Sequence, residues 1–63
     1  MLYDFLFELT EFSNNEGEQI LVECETLGDA RGILRHNGFH DDEVTFLDRM
    51  SVEEGEMLGY DTY

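Results

Sequence analysis

The sequence predicts an α+β domain, a three-stranded antiparallel sheet in the order β-β-α-β-α with one face covered by helix. Three observations predict it. The chain opens on an alternating apolar and polar run, a turn rich in asparagine and glycine follows, and a helical apolar stripe then separates that pair from a third strand.

Each element has its own signal. In residues 2–12, Tyr3, Phe5, Phe7 and Leu9 fall on one side, with Asp4, Glu8 and Thr10 on the other. That is the period of a half-buried strand, broken by Leu6 on the polar side. Ser13-Asn14-Asn15-Glu16-Gly17-Glu18 is a turn. A second strand follows with Ile20, Val22 and Cys24 inward and Leu21, Glu23 and Glu25 outward. Thr26 is a helix N-cap with Asp29 three residues on. Leu27, Ala30, Ile33 and Leu34 form one apolar face, and Asn37-Gly38-Phe39 is a stop signal. His40-Asp41-Asp42 reads as a loop, and Val44 and Phe46 as the inward residues of a short third strand. Ser51-Val52-Glu53-Glu54 is a capping box for a last helix that Gly59 closes, leaving Tyr60–Tyr63 as a tail able to pack back through its aromatics.

With 63 residues the chain is a single domain, 1–63. A chain of this size buries only about 60% of its unfolded surface, and stability of roughly 3–5 kcal/mol is its ceiling without staples. Cys24 is the only cysteine, so no internal disulfide is available, and the composition suits a reducing, cytoplasmic interior. No apolar run reaches the ~18 residues of a membrane span. The start, Met1-Leu2-Tyr3-Asp4, has no signal-peptide pattern, so the chain reads as complete and intracellular.

Charge is the outlier. Sixteen carboxylates face three cations, Arg31, Arg35 and Arg49, with no lysine, for a net charge of −13. Such a surface repels nucleic acid and anionic membranes and attracts a basic protein. Strand alternation puts Asp4, Glu8, Glu23 and Glu25 on the uncovered sheet face, with Glu8 close to opposite Glu23. Like charges so placed destabilise a sheet. Asp41, Asp42 and Glu43 extend the acidic rim, while Leu6 and Leu21, outward among the acids, are either an ordinary exposed apolar pair, the apolar anchor of an interface or the seam of a homodimer. Outward residues on a strand repeat about every 6.7 Å, a spacing fit to stand in for a row of phosphates.

In size, lysine-free acidity and this carboxylate set, the chain resembles the small acidic inhibitors that phages direct at host nucleic-acid-binding proteins: DNA mimics, anti-restriction and anti-CRISPR proteins. It is a likeness of class over the whole chain, without a family motif. It implies a protein–protein interaction with a Cas effector, a restriction enzyme, a glycosylase or a DNA-binding regulator, in a host–virus setting. The residues themselves also leave open a non-mimic adaptor that binds a basic partner, and a halophile-type solvated surface.

Other constellations point to no enzyme, cofactor or metal. His36 and His40 are four apart, but Gly38 breaks the helix between them. Asp41-Asp42-Glu43 lacks the alternating ligands and glycine of a calcium loop. Cys24 is flanked by Glu23 and Glu25, which disfavour a thiolate. Arg31 and Arg35 are expected to pair with nearby acids such as Asp29.

Overall fold

The computed structural model describes Met1–Tyr63 and has the predicted order of elements: β1 (Tyr3–Leu9), β2 (Gln19–Cys24), α1 (Leu27–His36), a 3-10 turn (Asp41–Glu43), β3 (Val44–Ser51) and α2 (Val52–Leu58). β1 is central in the sheet order β2-β1-β3, and both pairings are antiparallel.

Alternation in β1 does what its pattern requires. Phe5, Phe7 and Leu9 are buried with Ile20, Val22 and Cys24 of β2 beneath Ala30 and Leu34 of α1, and Val44 completes a core of nine residues. Thr26 caps α1 by accepting the Asp29 N–H at 3.1 Å. The helix stops where Gly38 takes φ +94°. There the Phe39 N–H reaches back to the Leu34 carbonyl at 2.9 Å and the Gly38 N–H to Arg35 at 3.0 Å. This is the paired-bond stop that only a left-handed residue allows.

The hairpin loop is longer than expected and its register shifted, because β1 ends at Leu9 rather than running to residue 12. Gly17 donates to the Leu9 carbonyl and Leu9 to Glu18, both at 2.8 Å, so β2 starts at Gln19 opposite Glu8. Glu8 therefore faces Gln19, and it is Asp4 that faces Glu23. The third strand runs on to Ser51 because Leu47 is an extra residue: Phe7 pairs with Phe46 but Leu6 with Asp48. This bulge flips the later alternation, sending Arg49 and Ser51 to the α1 side and Asp48 and Met50 to the other.

α2 lies on the face away from α1. Ser51 caps it by accepting the Glu54 N–H at 3.2 Å, and Gly55 sits directly over Asp4. The tail then reaches the outer edge of β2, where Leu21 donates to Asp61 at 2.8 Å and Tyr63 donates to Leu21 at 2.7 Å. The Tyr63 ring meets Phe39 edge-on, with centroids 5.5 Å apart. β3 is left as the free edge. Its bulge and the Asp48 carboxylate, which accepts the Arg49 N–H at 2.8 Å, blunt it against further strand pairing.

Two substitutions test this packing. A Cβ at Gly32 meets nothing within 4 Å, so Gly32→Ala is expected to stabilise the chain by about 1 kcal/mol through helix propensity. Phe7 is fully buried, and Phe7→Ala is expected to cost about 3–5 kcal/mol, the whole of the available stability. Urea titration followed by circular dichroism should give the first a higher midpoint and find the second unfolded without urea. A cooperative transition in Phe7→Ala would locate the stabilising core elsewhere.

Candidate protein-binding surface

The predicted acidic residues do not form one open patch. Asp4 is 2% exposed and Leu21 fully buried, so neither lies on a free surface as their outward positions implied. For Asp4 the reason is Gly55, whose missing side chain lets α2 settle onto the face of the sheet that strand alternation alone leaves uncovered, while Leu21 lies where the tail pairs along the outer edge of β2. A methyl group on Gly55 would lie 2.6 Å from Asp4 Cγ and 2.8 Å from its Cβ. Leu6 is half-buried on the same face, so the expected Leu6–Leu21 pair offers no exposed dimer seam.

Glu8 is half-buried, and Glu23 and Glu25 are exposed. Glu23 and Glu25 line a groove of about 630 Å³ between α1 and the end of β2, with Leu2, Cys24, Asp29 and Ile33. Asp41, Asp42 and Glu43 sit at the other end of the sheet, where the Asp42 carbonyl accepts from the Thr10 hydroxyl and the Glu43 carbonyl from the Thr10 N–H. Two of these three carboxylates are engaged locally. Arg35 holds Asp41 bidentately at 2.9 and 3.0 Å, and Glu43 accepts the His40 N–H at 3.2 Å. The guanidinium keeps the Asp41 carboxyl below the usual range.

The cations are confined to one side of the sheet. Arg35 makes the one ion pair, with Asp41 rather than Asp29. Arg31 stands over the Phe7 ring, 5.9 Å from its centroid, and Arg49 over Tyr3 at 4.4 Å. All three therefore lie on the α1 side of the sheet. The opposite side gathers Glu8, Glu23 and Asp48 from the strands and exposed Glu53, Glu54 and Glu56 from α2, with no basic residue among them. Asp48 is absent from the sequence-based set because its face depends on the Leu47 bulge. The signal that could have found it was the Ser51 cap, which leaves Leu47–Met50 no element but the strand.

Asp4 is the electrostatic anomaly of this side. Its Oδ1 is buried without a hydrogen-bond partner. Burial, and then the charges of Glu23 and Glu56, push its carboxyl above the usual range. Cys24 is also raised, chiefly by burial, and its Sγ donates to the Thr26 carbonyl at 3.2 Å, a core thiol rather than an activated one. No group of three or more histidine, cysteine or acidic side chains is arranged to hold a metal ion, and no helix is long and apolar enough to cross a membrane.

The raised Asp4 carboxyl sets the sign of a pH effect. The folded chain holds this proton more tightly than the unfolded chain, so the associated stability is complete below the ordinary value of about 3.9 and is lost as pH rises through the raised folded value. Asp4→Asn is expected to stabilise the protein at pH 7 by about 0.5–2 kcal/mol, an advantage that disappears toward pH 4. Thermal melts at both pH values check it, and an unchanged difference would remove Asp4 as the cause. Gly55→Ala is expected to cost about 1–3 kcal/mol by overpacking. Urea titration reads that cost, and a neutral result would mean α2 does not rest on Asp4. Compared with known proteins, the chain matches no protein-family model, no curated protein sequence and no solved structure.

Proposed function

We propose that this protein is an acidic inhibitor that occupies the basic groove of a nucleic-acid-binding protein in place of nucleic acid. The observation that carries this reading is the segregation of charge. Arg31, Arg35 and Arg49 all lie on the α1 side, so the α2 side presents carboxylates that nothing in the chain neutralises.

Dimensions support it. The fold measures 30 × 21 × 16 Å and carries sixteen carboxylates. Duplex DNA of the same length bears about 18 phosphate charges, so a groove evolved for a duplex meets a body of similar charge density. Binding by such a face is steered by charge, fast and salt-sensitive. The groove between α1 and β2 extends the acidic side around the end of the sheet through Glu23 and Glu25.

The experiment is competition. A panel of restriction enzymes, Cas effectors and DNA-binding regulators is titrated with the protein at rising salt, with duplex DNA as competitor. Mimicry predicts mutually exclusive binding that weakens about tenfold or more between 50 and 200 mM salt. Glu8→Lys with Glu23→Lys should abolish inhibition while circular dichroism shows the fold intact. A ternary complex with bound DNA, or inhibition untouched by the double substitution, would point instead to an adaptor that uses another face.

A further inference from the structure

We infer that α2 is a displaceable strap over the partner-binding face, and that Asp4 beneath it is the anchor for an arginine or lysine side chain of the basic partner. The inference rests on the reading of the protein as a binder of basic proteins, and adds where the central contact forms and what must move to form it.

Topology makes α2 a strap. The chain leaves the sheet at β3, crosses the central strand with Gly55 over Asp4, and is tied again at the far edge, where Leu21 exchanges hydrogen bonds with Asp61 and Tyr63 of the tail. Between those ties only Gly55 is buried, against Asp4. Seven residues are fewer than the ~12–15 a helix needs to persist alone, and the apolar Met57 of α2 is 88% exposed, so that side chain adds no grip on the sheet. The Ser51 cap and the two tied ends hold it in place.

What it covers is unfinished as a core. Asp4 Oδ1 has no hydrogen-bond partner, although buried polar groups are almost always paired. The groups that face Asp4 give it no counter-charge: Glu23 from β2, Glu56 from α2 and uncharged Met50 from β3, with Asp48 and Glu8 further along the same face. A carboxylate so placed gains from a cation only when α2 lifts. A cationic side chain therefore binds the lifted state better than the closed one, which is the differential affinity needed to shift the equilibrium. Leu6 and Leu21 lie beside Asp4 on the same face, an apolar neighbourhood for the stem of that cationic side chain.

Calorimetry with an acetylated, amidated nonaarginine peptide tests this on four proteins: wild type, Asp4→Asn, Ser51→Ala and Glu16→Gln. Ser51→Ala removes the cap of α2 without changing charge and is expected to bind about fivefold tighter, because the lifted fraction rises. Asp4→Asn removes the anchor and is expected to bind at least tenfold weaker. Glu16→Gln deletes the same charge in the exposed hairpin turn and is expected to bind within twofold of wild type. Amide exchange in Glu54–Leu58 should run ahead of that in Phe5–Phe7 and slow further in Asp4→Asn. Equal affinities for Asp4→Asn and Glu16→Gln, with Ser51→Ala unchanged, would overturn the strap while leaving the acidic surface as a binder. No binding of the peptide by any of the four would overturn both.

Discussion

Every part of this fold depends on β1 being buried on both faces. It is the only strand with another strand on each side, and its odd-numbered residues Phe5, Phe7 and Leu9 form the middle of the main core. An ordinary half-buried strand would then turn its even-numbered residues to water. Here Asp4 is covered instead, because α2 crosses the strand at a glycine. The central strand thus gains a second layer at the cost of enclosing a carboxylate, and the α2 face of the domain is organised around that compromise.

Charge follows the same division. A chain with sixteen carboxylates and three arginines cannot neutralise itself, and it makes no attempt to spread its few cations. Arg31 and Arg49 lie over aromatic rings that belong to or pack on the main core, and Arg35 clamps the turn after α1. All three stabilise the α1 side, where apolar burial already supplies most of the folding energy. The α2 side keeps its repulsion. A small domain with roughly 3–5 kcal/mol to spare tolerates this only if the charges are solvated, which is why the one buried acid stands out.

Much of the fold was legible in the chain because its signals are local. The alternation of β1, the Thr26 and Ser51 caps and the Gly38 stop each act within a few residues, and both helices formed where their caps placed them, while β1 ended earlier and β3 later than their patterns implied. The candidate site was less legible. Asp4 and Leu21 have the strand parity of exposed residues and are buried, while Asp48 has the parity of the core side and is turned away from it. In the first case α2 arrives over Asp4 and the tail beside Leu21 from elsewhere in the sequence; in the second a single extra residue, Leu47, reverses the count. Neither event leaves a mark in the local period.

The sequence by itself determined the element order, the apolar face of each element and the large excess of negative charge, since these depend on residue type and short-range spacing. Tertiary structure decided which acids stand together. The hairpin register put Asp4 rather than Glu8 opposite Glu23, the bulge carried Asp48 across the sheet, and the tail and α2 closed over Leu21 and Asp4. Those choices are made between segments up to about fifty residues apart in the chain, such as Asp4 and Gly55. They turn on the fit of a backbone against a side chain, a contact that no periodicity encodes.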